Sequence, residues 1–124
     1  MKSARRRIAG AVAGLLTMAS SVLAAAPTAE AAGYATMTVQ AGAAARYAPS
    51  ASSAFIGWVT SDGWRNPNGQ ASWVKCWADG GWATGNYSSN RWFNAYVNYS
   101  GGRAPVWAYV HSSYVTNQSS VPRC

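Results

Sequence analysis

Residues 92–110, with the sequence WFNAYVNYSGGRAPVWAYV, decide the fold class of this chain. The two ends of this stretch, 92–98 and 106–110, are short runs of aromatic residues and valine, which favour β-strands over helices. Ser100, Gly101 and Gly102 between them are typical turn residues. The stretch therefore predicts a β-hairpin.

Three further segments carry strand patterns. Met37, Val39 and Ala41 alternate with polar residues, and the segments 55–60 and 72–78 are rich in aromatic and β-branched residues. Asp-Gly and Asn-Pro-Asn-Gly sequences between 62 and 69, and Asp79-Gly80-Gly81, predict turns. We expect loops at 42–53 and 82–90 and a short turn at 111–113. The pattern predicts an all-β fold of five short strands, arranged as a small barrel or sandwich.

The first 31 residues have the three parts of a secretory signal peptide. Lys2 and three arginines at 5–7 are followed by an apolar stretch at 8–18, and Ala29-Glu30-Ala31 fits the small-x-small cleavage rule. A membrane-spanning helix needs about 20 apolar residues, and this stretch is shorter. We expect a signal at 1–31, a single mature domain at 32–124, and no membrane span after cleavage.

The mature chain has an unusual apolar composition. All leucines lie in the signal, whereas all seven Trp, seven Tyr and two Phe lie at or after Tyr34. Ile56 is the single isoleucine after residue 31. The core must therefore be built from Val, Trp, Tyr and Phe, which suit a half-buried sheet better than a helix.

The charge of the mature chain is moderately positive. Five arginines and one lysine face two aspartates, Asp62 and Asp79, and no basic run occurs. Such a balance favours anionic extracellular polymers as partners, although it equally serves solubility. Nucleic acid is a disfavoured partner because the basic residues are not clustered.

The two cysteines, Cys76 and Cys124, both lie after the predicted cleavage site. In an exported protein an even pair predicts a disulfide. The bond would close a loop of about 49 residues and stabilise the fold by up to ~4 kcal/mol through loop entropy. A reactive thiol and an intermolecular link are the alternatives.

Two segments of the mature chain resemble the bacterial SH3-like (Src-homology-3-type) domain. VQAG at 39–42, YAP at 47–49 and IGWV at 56–59 are similar to the opening pattern of that family, V-R-x-G-P-S-x-x-Y followed by V-I-G-x-V. WAYVHSSYV at 107–115 is similar to its closing pattern, G-W-V-H-S-S-Y-V. The middle of the chain and the final Pro-Arg-Cys resemble small secreted members from actinomycetes.

The resemblance implies a small five-stranded SH3-like barrel with long loops and a disulfide-tied C-terminal tail. It also implies a non-catalytic module that binds cell-wall peptidoglycan, its peptides or another extracellular polymer. A small secreted effector or inhibitor that binds a protein partner is the alternative. The first long loop and the closing turn would flank the groove, where an arginine could pair with a wall-peptide carboxylate. Candidate ligand-binding residues are Arg46, Tyr47, Trp82, Tyr109, His111 and Tyr114.

The mature chain offers little for catalysis. A triad of Ser112 or Ser113 with His111 would need neighbours in one turn to face each other, and no nucleophile-elbow motif is present. Asp62 and Asp79 both adjoin glycines, where turn formation explains them. One histidine and two acids also fall short of an ordinary metal site. We expect no enzymatic activity, no metal and no cofactor, and interpret His111 first as a polar turn residue.

Overall fold

The computed structural model describes residues 33–124. The predicted signal at 1–31 and its cleavage site lie outside the described residues, so both stay predictions. Within residues 33–124 there are seven strands and two short 3-10 turns, at Gly63–Arg65 and Ser112–Tyr114. The strands are β1 (Ala35–Gln40), β2 (Ala44–Arg46), β3 (Phe55–Trp58), β4 (Gly69–Thr84), β5 (Ser88–Val97), β6 (Val106–His111) and β7 (Val115–Thr116).

The strands form one antiparallel sheet in the order β3-β2-β6-β5-β4-β1-β7. The all-β class and the hairpin of β5 and β6 are therefore confirmed. A five-stranded barrel is not confirmed, because the described residues form an open sheet of seven strands.

One strand that the sequence did not predict, β2, lies within 42–53, which the sequence predicted to be a loop. Ala43 and Ala45 are buried there, so the packing of small side chains, which carry no strand pattern, makes this segment part of the sheet.

One face of the sheet encloses the core. Its side chains are mainly valine and alanine, with one methionine and one phenylalanine, and alternate residues of each strand supply them. The fully buried members include Met37, Val39, Val74, Val97 and Val110. The sequence predicted a core of Val, Trp, Tyr and Phe. Valine and Phe93 are buried there as predicted, whereas alanine and Met37 take the places expected for Trp and Tyr, and Trp77 and Tyr114 pack against the core only partly buried. The small side chains interlock across neighbouring strands.

The opposite face carries half-buried aromatic rings, which we call the aromatic face: Tyr34, Trp73, Tyr96 and Trp107. The ring centroids of Tyr96 and Trp107 lie 5.0 Å apart, and those of Tyr34 and Trp107 also lie 5.0 Å apart. Lys75 places its Nζ 4.5 Å from the Trp107 ring centroid. Trp107 alternates with the buried Ala108, which explains why the rings share the side away from the core.

The hairpin of β4 and β5 is longer than the sequence predicted. Asp79-Gly80-Gly81 is a bulge where the register shifts, and the chain continues to pair until Thr84 lies opposite Ser88. The expected loop at 82–90 is therefore wrong for most of its length. Gly80 allows the backbone of the bulge to lie close to the β2–β3 loop, since a Cβ on Gly80 would overlap the carbonyl oxygen of Pro49.

The C-terminal tail is fastened to the middle of β4. The predicted disulfide is confirmed, with Cys76 and Cys124 bonded at a Cα–Cα distance of 4.8 Å. The Trp77 backbone N–H donates to the Pro122 carbonyl at 3.0 Å, and the Cys124 N–H donates to the Trp77 carbonyl at 2.8 Å. Arg123 of the tail pairs in parallel with Trp77 of β4. This pairing follows the last residue of β4 that pairs with β1, which is Val74.

Candidate functional site: a pocket under the long hairpin

The tip of the β4–β5 hairpin bends toward the β2–β3 loop. Gly81 donates its N–H to the Pro49 carbonyl at 3.0 Å and accepts a hydrogen bond from Trp92 Nε1 at 2.9 Å. Asn86 at the tip donates its backbone N–H to Ser113 Oγ at 3.1 Å and its side-chain amide to Gln40 Oε1 at 2.8 Å. These contacts hold the tip between the β2–β3 loop and the 3-10 turn at Ser112–Tyr114, which we call the closing turn.

A pocket of about 230 Å³ lies between these elements, and we call it the hairpin pocket. Small residues, mostly alanine, line part of it, and its larger lining side chains are Arg46, Trp58, Thr84, Trp92, His111 and Tyr114. Trp92 is almost fully buried, whereas Trp58 is 53% exposed at the edge strand. Concave, largely aromatic sites with a few polar groups are typical of ligand pockets.

Arg46 supplies the positive charge of the hairpin pocket. Its Nη1 donates to the Ser53 carbonyl at 2.9 Å, and its Cζ lies 5.8 Å from the Phe55 ring centroid. Within residues 33–124 no carboxylate pairs with it, because Asp79 pairs with Arg91 and Asp62 accepts a hydrogen bond from the Ala71 N–H. The remaining guanidinium N–H groups suit an anionic oxygen of a ligand.

His111 is buried at 4% exposure, and both of its ring nitrogens are engaged. Nε2 lies 2.9 Å from the Ser89 carbonyl oxygen, and Nδ1 lies 2.7 Å from Ser113 Oγ. A carbonyl oxygen only accepts, so Nε2 carries the hydrogen and Nδ1 of the neutral ring accepts from the Ser113 hydroxyl. The ring also packs edge-on against Trp92, with centroids 5.0 Å apart. His111 therefore forms a wall of the pocket and positions its neighbours.

The structure brings three of the predicted site residues together, since Arg46, His111 and Tyr114 line the same pocket. Tyr109 lies directly opposite Arg46 in the ladder of β2 and β6 and is half-buried. Tyr47 and Trp82 do not line the pocket; they are 69% and 73% exposed in the β2–β3 loop and in β4.

Trp58 and Trp92 were not among the predicted site residues. In the sequence they lie in strand patterns like those of the other tryptophans, and a strand pattern does not separate a core ring from a pocket ring. Their role depends on the bend of the hairpin over the sheet, which brings Gly81 to Trp92.

The structure does bring Ser113 Oγ to within 2.7 Å of His111 Nδ1, a pairing that the sequence argued against. Within residues 33–124 no three His, Cys, Asp or Glu side chains come together. The pocket also holds no acidic residue, and its histidine bonds to protein atoms through both nitrogens. The arrangement fits binding through charge and aromatic contact.

Comparisons with protein-family models, with curated proteins and with solved structures found no match. Within the described part of the chain, no helix has the length and apolar character that crossing a membrane would require.

Proposed function

We propose that this chain is an exported, non-catalytic binding module of the SH3-like type, which uses the hairpin pocket to bind cell-wall peptidoglycan or its peptides. The segment at 107–115 that resembles the closing pattern of that family contributes all but the first residue of β6, the closing turn and one residue of β7. The disulfide of Cys76 and Cys124 is compatible with an extracellular location.

The observation that carries this proposal is the surroundings of Arg46. It lies in a pocket with Trp58, Trp92 and Tyr114, and it has no carboxylate partner among residues 33–124. Wall peptides end in carboxylates and are joined to sugars. One wall fragment therefore carries a carboxylate together with sugar rings whose faces can stack on aromatic side chains. Charge-assisted hydrogen bonds from a guanidinium to a carboxylate are among the strongest polar contacts available to a binding site.

The test is co-sedimentation of the exported form, residues 32–124, with purified sacculi at low salt. We expect the protein to pellet and Arg46→Gln to weaken binding by about tenfold or more, because a hydrogen bond to a charged group contributes about 1.5–3 kcal/mol. Arg103→Gln removes an exposed cation elsewhere and is the matched control. Protein that stays in the supernatant would show that the wall is not the ligand.

A protein partner is the second candidate, and exposed rings beside the pocket favour it. The rings of Phe55 and Trp58 on the edge strand β3 have centroids 4.7 Å apart and planes tilted by 60°, and the exposed Tyr47 lies in the adjoining loop. Clustered exposed aromatic side chains are enriched in protein interfaces. Recovery of a stoichiometric protein from culture supernatant, abolished by Trp58→Ala, would favour this function over wall binding.

A further inference from the structure

The hairpin pocket combines one cation with a small space that is lined in part by methyl groups. Its volume is about 230 Å³, whereas pockets that enclose drug-sized compounds measure roughly 300–1,000 Å³. Gly42, Ala44, Ala51 and Ala83 line part of the space, and none of these side chains extends beyond a Cβ. The space therefore suits one or two small residues of a peptide better than a long side chain or a disaccharide.

Most polar side chains around this space are already bonded within the protein. Both ring nitrogens of His111 contact protein oxygens, and Trp92 Nε1 donates to the Gly81 carbonyl. The Thr84 hydroxyl lies 2.7 Å from Ser88 Oγ. A sugar ring inside the pocket would leave most of its hydroxyls without hydrogen-bond partners, which is unfavourable for buried polar groups. The lining therefore favours a ligand with few polar atoms besides its anion.

Arg46 offers that anion a fixed partner. Its Nη1 donates to the Ser53 carbonyl at 2.9 Å, and its Cζ lies 5.8 Å from the Phe55 ring centroid, so the guanidinium is held from two sides. Among residues 33–124, no Asp or Glu lines the pocket. A carboxylate matches the planar guanidinium and can accept two parallel N–H bonds from it. One fixed cation therefore selects one carboxylate.

From these observations we propose that the hairpin pocket binds the free carboxyl terminus of a peptide whose last residues have small side chains. This inference rests on the proposed function, since it names the part of a wall peptide that enters the pocket. The terminal carboxylate binds Arg46, the small side chains lie against the alanines, and the rest of the peptide leaves past the exposed ring of Trp58. A peptide whose terminal carboxyl is joined to another chain lacks the anion, so the module distinguishes free peptide ends from linked ones.

The test is an NMR titration of the exported form, residues 32–124, with N-acetylalanylalanine at millimolar concentration. The peptide is used as the free acid and as the carboxamide, each in its L,L and D,D forms. We expect the free acid of at least one form to shift the resonances of Arg46 and Trp58 and to bind about tenfold or more tighter than its carboxamide, because the amide cannot form the charged pair. Equal affinity for acid and amide, or no binding of either, would overturn the inference.

Variants of Arg46 test the contact itself. Arg46→Gln should reduce the ratio of acid to amide affinity to about one, because the neutral side chain no longer favours an anion. Arg46→Lys keeps the charge without the planar fork and should retain part of the preference. Arg103→Gln removes an exposed cation elsewhere and should keep the wild-type ratio. A preference that survives in Arg46→Gln would show that another group binds the carboxylate.

A larger peptide tests the size of the space. N-acetylphenylalanylphenylalanine should bind about tenfold or more weaker than the alanine peptide, because its rings overpack the alanine-lined wall. Ala51→Leu narrows the pocket from the β2–β3 loop and should weaken binding of the alanine peptide, whereas Ala104→Leu changes an exposed residue outside the pocket and should not. Equal or tighter binding of the phenylalanine peptide would contradict the selection for small residues.

The titration and the sacculus experiment can fail separately. If sacculi pellet the protein while acid and amide bind equally, wall binding stands and recognition of peptide ends is wrong. If the acid is preferred while the protein stays in the supernatant with sacculi, recognition of peptide ends stands and the wall is not the source of the peptide.

Discussion

The guanidinium of Arg123 lies over the indole of Trp77, with its Cζ 4.2 Å from the ring centroid. Arg91 stacks on the same indole from β5, the strand that flanks β4 on the side away from the tail. Trp77 thus lies between a cation of the sheet and a cation of the tail. The tail is held to the sheet by this stacking and by two backbone hydrogen bonds, in addition to the disulfide one residue further on.

The double variant Cys76→Ala/Cys124→Ala should lower the free energy of unfolding by roughly 2–4 kcal/mol, since the open chain regains the entropy of a loop whose ends are 48 residues apart. Urea denaturation measures the change. Reduction of the wild-type protein is the control and should give a similar loss. A decrease below about 1 kcal/mol would mean that the stack at Trp77 holds the tail without the bond.

Gly80→Ala should displace the hairpin tip, because the new Cβ would overlap the Pro49 carbonyl. Overpacking of this kind costs about 1–3 kcal/mol. The hydrogen bond from Trp92 to Gly81 should weaken with it, which the indole N–H resonance of Trp92 would report. Gly81→Ala is the neighbouring control, since its nearest new contact is the movable Ser50 side chain at 3.2 Å. Equal stability loss in the two variants would argue against a specific approach at Gly80.

His111→Ala should destabilise the fold by about 2–4 kcal/mol, because the Ser89 carbonyl loses the donor Nε2 and the Ser113 hydroxyl, which keeps the Asn86 N–H, loses the acceptor Nδ1. Chemical denaturation checks this value. Ser113→Ala keeps the contact to Ser89 and should cost less. If His111→Ala impaired ligand binding at unchanged stability, the histidine would contact ligand directly.

Trp58→Ala should weaken binding at the hairpin pocket by about threefold to tenfold and alter stability little, since the side chain is more than half exposed. Sacculus co-sedimentation and urea denaturation separate the two effects. Trp64→Ala, in the 3-10 turn at Gly63–Arg65, should leave binding unchanged. Equal loss in both variants would indicate nonspecific adhesion through exposed aromatic rings.

Local sequence patterns correctly predicted the strands that bury alternate side chains, and they correctly predicted the disulfide. The hairpin at 92–110 and the bond from Cys76 to Cys124 are present as predicted. Local pattern failed at Asp79-Gly80-Gly81, which has turn chemistry but forms a bulge, because the residues beyond it find partners in β5. It also failed at β2, whose Ala45 is buried and whose backbone pairs with β3 and β6.

The site was predictable only in part for the same reason. Arg46, His111 and Tyr114 belong to segments whose resemblance placed them near one groove. Trp58 and Trp92 acquire their roles from long-range contacts, because the bent hairpin brings Gly81 to Trp92 over the sheet. The signal at 1–31, the SH3-like family and the wall ligand stay predictions.

The contacts of Asn86 with Gln40 and Ser113 have a thermodynamic consequence. They connect the hairpin tip to the first strand and to the closing turn, so the hairpin pocket exists only when distant parts of the chain are folded together. Any compound that fills it binds the native state alone and raises the free energy of unfolding by RT ln(1 + [L]/Kd). A thermal-shift screen of wall fragments can therefore rank ligands through the melting temperature, before any assay of function exists.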